Sequence, residues 1–308
     1  MYTNFFDLSK EPFSISPDPS FLAVLPQTRE ALASLEYAIS FRKGIVVLIG
    51  EVGTGKTMLL RASLDAFRRA AVHFAYVFNP KLDVLDFLEF VLVDFGMTPE
   101  TRSKAAMLLQ LNRWLLEMYS RRETCVIIVD EAQGCSVELL EEIRLLTNLE
   151  TASEKLIQVI LSGQPELETK LRQENVRQLR QRVALWCRTF PLDQSETKHY
   201  IEERLRIAGA RREIFTSAAV RRIFELSGGI PRVVNLLCEH SFILAYVHQQ
   251  TTIGSGVVDA VAQDLLLNEP SQGKSVEHPG IAQSSDVADA SEKMDREEQR
   301  LQQGLQRP

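Results

Sequence analysis

The sequence predicts an α/β fold, a parallel five-stranded sheet flanked by helices, joined to a small all-α unit. Three observations predict it. Short apolar runs rich in strand-forming residues recur at GIVVLIG (44–50), HFAYVF (73–78), CVIIVD (125–130), LIQVILS (156–162) and ALWCRTF (184–190). Amphipathic stretches with helical spacing separate them, which implies right-handed crossovers and a sheet covered on both faces. After PLD (191–193) only helical patterns follow.

The chain opens MYTNFFDLSKEPFSISPDPSFL, dense in aromatic residues and proline. It is not an export signal, because Asp7, Lys10, Glu11 and Asp18 interrupt every apolar run. Its aromatic content also argues against a disordered arm, so residues 1–43, with a first helix, are expected to pack on the core. Residues 44–190 form that core. The last helical patterns run from SETKHYIEERLRIAG through TSAAVRRIFELSGG and PRVVNLLCEHSFILAYV to a segment near 256–267, giving a helical unit over 191–267. Ser195 is placed to cap the first of these helices, and Gly209 and Gly228 to end the first two. From 268 to 308 the sequence is polar and without periodicity, which predicts a disordered tail.

Composition excludes several classes. With 308 residues, 45% hydrophobic and 25% charged, the chain can bury two cores. No window approaches the ~18 uninterrupted apolar residues of a membrane helix, so a cytosolic protein is expected, free to dock on a membrane-bound partner. Cys125, Cys135, Cys187 and Cys238 are too scattered for a zinc site or a disulfide scaffold. A net charge of −6 argues against nucleic-acid binding by the whole surface.

The chemistry concentrates after the first strand. GEVGTGKT comprises Gly50, Glu51, Val52, Gly53, Thr54, Gly55, Lys56 and Thr57, with Met58 next, and matches G-x-x-x-x-G-K-[ST]. The pattern lets backbone N–H groups and a helix N-terminus surround nucleotide phosphates. Lys56 is expected to neutralise the β and γ phosphates of ATP, and the Thr57 hydroxyl to ligate Mg²⁺. CVIIVDEAQ then places Asp130 and Glu131 directly after a buried strand, Asp130 to hold Mg²⁺ and Glu131 to polarise the attacking water. Ser162 and Gln164 end the next sheet run and are candidates for sensing the γ phosphate. In SGGIPRVVN (227–235), Pro231 fits a first helical position. Arg232 in the first turn opposes the helix dipole, a mismatch expected of a residue that serves a nucleotide.

Together these residues resemble the AAA+ branch of P-loop ATPases, over residues 1 to about 267. More narrowly, YTNFFDLSKEPFSISPDPSFL, REALASLEYAI and GEVGTGKTMLLR look like the ExeA family, general secretion pathway protein A and its relatives. That family includes ATPases tied to exosortase and exopolysaccharide export and is related to MuB-type and TniB-type transposition ATPases. The resemblance implies Mg²⁺-dependent ATP hydrolysis in the service of envelope secretion or export. It also implies assembly into a ring or other oligomer, in which Arg180 or Arg182 of VRQLRQRV reaches a neighbouring subunit's γ phosphate. The alternative is a DNA-binding transposition or target-selection ATPase.

Two departures limit the transfer. Thr28 stands where the family often has His, so that histidine's role does not carry over. Full-length secretion proteins of this type continue into a membrane helix and a peptidoglycan-binding domain; here a polar tail follows, and no cell-wall remodelling is expected. The arginines at 204, 206, 211, 212, 221 and 222 are read as a solvated surface, since acids alternate with them. LDVLDFLEFVLVDFGM (82–97) is read as core or a subunit contact. Some of Phe5, Phe6, Phe13 and Pro17 are expected to pack against the core beside the nucleotide base, with the prolines fixing an extended path; the alternative is a purely structural strap over the sheet.

Overall fold

The computed structural model describes residues 1–14, 16, 18–67, 71–152 and 154–265. In chain order the elements are α1 (Tyr2–Phe5), α2 (Pro26–Ser40), β1 (Ile45–Gly50), α3 (Lys56–Phe67), β2 (Val72–Val77), α4 (Val84–Asp94), α5 (Lys104–Ser120), β3 (Thr124–Val129), α6 (Val137–Leu146), β4 (Ile157–Gly163), α7 (Pro165–Leu171), α8 (Arg177–Arg180), β5 (Val183–Thr189), α9 (Gln194–Ile207), α10 (Ser217–Ser227), α11 (Pro231–Val247) and α12 (Ser255–Asp264).

The sheet has the order β2-β3-β4-β1-β5, and its four pairings are parallel. This is the five-stranded parallel sheet read from the sequence. β1 lies between β4 and β5, pairing Ile45 with Val159 on one side and Gly50 with Thr189 on the other. The chain leaves β1 for α3 and β2 on the far side of β4, so a crevice opens at the carboxyl end of β1 where the strand order reverses.

Strand alternation divides the core between the two faces. Ile45, Val47 and Ile49 pack with Phe87, Leu88, Val91 and Leu92 of α4 and with Leu111 and Leu115 of α5. Val46 and Leu48 face the other way, onto Leu35 and Ile39 of α2 and Leu60 of α3. The 82–97 stretch is therefore core.

A separate apolar cluster joins α9–α12 to the N-terminus, and it corrects the expectation for that segment. Phe6 and Phe13 are buried against Phe242 of α11, with ring centroids 4.8 Å and 6.1 Å away, and Phe5 sits edge-on to Tyr246 at 5.6 Å. They pack on the helical unit and not on the sheet, because they share one apolar cluster with Leu237, Phe242 and Ala245 of α11. Nor is the path extended throughout, since Tyr2–Phe5 form a helical turn and Pro19–Phe21 a 3-10 turn. Pro17 and the tail from 268 lie outside the described residues.

Two smaller expectations also change. Asp193, not Ser195, caps α9: its side chain accepts from Glu196 N at 2.7 Å while Glu196 Oε2 accepts from Asp193 N at 3.1 Å. This reciprocal box satisfies two free N–H groups, which a lone serine cannot. Arg204 is 1% exposed rather than solvated, since α9 turns it inward; Arg206 and Arg222 do lie toward solvent, ion-paired with Glu203 and with Glu225 and Asp259.

Candidate nucleotide-binding site

The loop after β1 is shaped by contacts that only glycine permits. A Cβ on Gly50 would lie 1.9 Å from Thr189 Oγ1, and one on Gly53 2.8 Å from Arg232 Cβ. Gly53 and Gly55 also hold positive φ angles of 83° and 99°. Thr54 locks the loop to the sheet, its hydroxyl 2.7 Å from that of Thr189 and donating to the Glu51 carbonyl at 2.8 Å.

α3 begins at Lys56, so its unpaired N–H groups and positive dipole end face the loop's concavity. Lys56 is 6% exposed and donates to the carbonyls of Gly50 (2.8 Å) and Glu51 (3.0 Å). Burial pulls its pKa down, opposed by the nearby charges of Glu131, Asp130 and Glu51. A phosphate there would restore the charge partner that burial denies the ammonium.

Asp130, at the end of β3, is gripped from three elements. Thr57 Oγ1 (3.2 Å) and Tyr76 OH (2.8 Å) donate to Oδ2, and Ser162 Oγ (2.8 Å) to Oδ1. Burial, then the Asp130 charge, pushes the Tyr76 phenol well above its ordinary pKa, so it remains a donor. Glu131 sits in the left-handed region at φ 52°, exposed, its Oε2 accepting from Gln133 Nε2 (2.6 Å) and Gln164 Nε2 (2.9 Å).

The loop and Glu131 border a cleft of about 380 Å³, lined by Val52 through Leu59, Glu131, Thr189, Arg232 and Asn235. Phe21, Leu22, Thr28, Tyr200 and Arg204 also line it. Arg232 N donates to the Gly53 carbonyl at 3.2 Å, which fixes the start of α11 against the loop. The structure thus brings together the loop residues, Asp130, Glu131, Gln164 and Arg232. Arg180 and Arg182 are elsewhere: Arg180 is exposed at the end of α8, and Arg182 bonds Thr147 Oγ1 and Asn148 Oδ1 after α6.

Sequence reasoning missed Tyr76, Gln133 and Thr189. Their one signal is position, each being a polar residue at or just beyond the carboxyl tip of a strand in the sheet that carries the loop. The residues present fit a nucleoside phosphate with Mg²⁺. The loop offers backbone donors, a buried lysine and room at Gly55, where a Cβ would meet nothing within 4 Å. Thr57 and Asp130 offer the hard oxygens that Mg²⁺ takes alongside phosphates.

Comparison with known proteins agrees. The AAA domain family matches residues 39–171. The chain has the AAA+ P-loop fold. The chain is similar, at 40% identity over 266 residues, to general secretion pathway protein A of Aeromonas hydrophila, which bears out the sequence-level resemblance. The match covers 86% of the chain and 48% of that relative, so the chain spans about half the relative's length. Among solved structures it is similar to the ORC2 protein of Aeropyrum pernix (TM-score 0.64, 19% identity, 83% and 72% of the two chains). It is also similar to Cdc6p of Pyrobaculum aerophilum (0.66, 16%, 82% and 70%) and the RuvB Holliday junction branch migration motor of Thermotoga maritima (0.53, 17%, 77% and 69%). At these identities the likeness is one of fold. Among the described residues no helix is long and apolar enough to cross a membrane.

Proposed function

We propose that this chain binds and hydrolyses ATP with Mg²⁺ in the service of envelope secretion or export. The observation that carries the reading is the convergence of Lys56, Thr57 and Glu131 on one cleft that Arg232 also lines, with Asp130 bonded to Thr57 beside it. The secretion role rests on the 40% identity to general secretion pathway protein A.

Lys56 leaves the loop carbonyls to neutralise the terminal phosphates, and the N-terminus of α3 stabilises their charge. Thr57 and Asp130 hold Mg²⁺, which when bound screens the charge that develops on the phosphate oxygens. Glu131 accepts a proton from the water that attacks the γ phosphorus as the bond to the ADP oxygen breaks. Gln164 and Gln133 hold the Glu131 carboxylate in place, and Arg232 sits against the loop to oppose the charge released. Arg180 and Arg182, remote from their own cleft, serve a neighbouring subunit's site in an assembled ring or filament.

The test is Mg²⁺-dependent ATPase activity of purified protein. Lys56→Ala should lose turnover by ~100-fold or more. Glu131→Gln should bind ATP with near wild-type affinity yet lower turnover by ~10²–10⁴-fold. Specific activity should rise with protein concentration, and an Arg180→Ala or Arg182→Ala variant should flatten that rise. Folded protein that binds no ATP at micromolar concentration would overturn the nucleotide reading. ATP-dependent, salt-sensitive DNA binding would replace the export role with the transposition alternative.

A further inference from the structure

Arg204 is among the largest side chains buried in the described structure, at 1% exposed. A guanidinium keeps its charge in a protein, and burying it without a partner is costly. Among the described residues no carboxylate lies within ion-pair reach. Its compensation comes instead from the Pro12 carbonyl, which accepts from Nε at 2.5 Å, from the Tyr200 hydroxyl, 2.9 Å from Nη1, and from the faces of Phe13, Phe21 and Tyr200, 5.0–5.8 Å away.

This arrangement fixes the direction of a short chain of hydrogen bonds. Arginine has no acceptor, so the Tyr200 oxygen accepts from Arg204, and the phenolic proton is left for the second neighbour of that oxygen. The neighbour is Asn235 Oδ1, 2.9 Å away. Asn235 therefore turns its carbonyl to Tyr200 and its NH₂ elsewhere, and that NH₂ has no hydrogen-bond partner among the described residues. Asn235, Tyr200 and Arg204 all line the cleft. Asn235 lies one helical turn beyond Arg232, which sits against the phosphate loop at Gly53. If the loop takes phosphates, the wall built from Phe21, Tyr200 and Asn235 is left for the nucleoside.

We propose that Asn235 Nδ2 donates to an acceptor atom of the base or ribose, with Tyr200 and Arg204 as the positioning residues that aim it. The inference rests on the nucleotide reading above. It also makes residues near Pro12 part of the same unit, since the arginine that aims Asn235 through Tyr200 is held by the Pro12 carbonyl.

The experiment compares binding of ATP, ADP and inorganic tripolyphosphate to the full chain by calorimetry. Asn235→Ala should weaken ATP and ADP about fivefold, as expected for one lost hydrogen bond, with tripolyphosphate unchanged. Tyr200→Phe keeps the buried ring and removes only the hydroxyl; it should give a smaller loss of the same selectivity. The double variant should bind no worse than Asn235→Ala alone, because both changes remove one contact. Wild-type ATP affinity in Asn235→Ala, or an equal loss for tripolyphosphate, would overturn the inference while leaving the nucleotide reading intact. A wild-type chain that binds neither ATP nor tripolyphosphate would overturn both.

Discussion

Ser162 Oγ donates to Asp130 Oδ1 at 2.8 Å, so the carboxylate at the end of β3 is held from the neighbouring strand β4. The bond is fully buried on the serine side. It ties the position of Asp130 to the register of the sheet, and Thr57 approaches the other oxygen of the same carboxylate.

Ser162→Ala should cost about 1.5–3 kcal/mol of stability, the net worth of a hydrogen bond to a charged group. It should also raise the Mg²⁺ concentration needed for half-maximal ATPase activity, because Asp130 loses one of the donors that fix it. Urea unfolding and a Mg²⁺ titration check the two halves. An unchanged Mg²⁺ requirement would restrict Ser162 to a structural role.

Gly53→Ala meets both a positive φ of 83° and a Cβ contact of 2.8 Å with Arg232 Cβ. The left-handed conformation alone costs a non-glycine residue about 1–2 kcal/mol. Relief of the contact must move the start of α11 away from the loop. ATP affinity should fall further than Tm, read by calorimetry and thermal melting on the same sample; a drop in Tm with normal ATP affinity would refute the coupling.

Phe13→Ala removes a fully buried ring that lies near both Phe215 and Phe242. It should cost about 3–5 kcal/mol, as for other buried aromatic truncations. The loss should appear first as hydrogen exchange in α10 and α11, with the sheet strands protected until global unfolding. Equal early loss from β1 and α11 would show that the N-terminal segment belongs to the sheet's core instead.

Glu239 of α11 accepts the Tyr2 hydroxyl on both carboxylate oxygens at 2.8 Å. Burial raises its pKa, only partly opposed by the bond from Tyr2. The folded state thus keeps a proton that the unfolded chain releases, so stability falls as pH rises from the ordinary carboxylate range through the folded pKa. Glu239→Gln has no proton to lose and should flatten that decline, gaining on the wild type as pH rises above the ordinary carboxylate range. Melting curves across this range decide it, and parallel curves for the two proteins would count against the assignment.

Much of the site was legible because its motifs are local. The glycines of the loop, Lys56 and Thr57 act through backbone shape and a helix start within eight residues, and Asp130 and Glu131 announce themselves by following an apolar strand. Short apolar runs likewise disclosed the sheet, since burial on both faces requires apolar side chains at successive positions. What the sequence alone left open depends on distant segments meeting. Tyr76 and Ser162 reach Asp130 across 54 and 32 residues, Thr189 reaches Thr54 across 135, and Pro12 reaches Arg204 across 192. The arginine that looked solvated among alternating charges is turned inward because α9 packs the face that carries it against the N-terminal segment, on Phe13, Phe21 and the Pro12 carbonyl. Sequence determines which side chains can bond; only tertiary packing decides which are deprived of water and so must find one another.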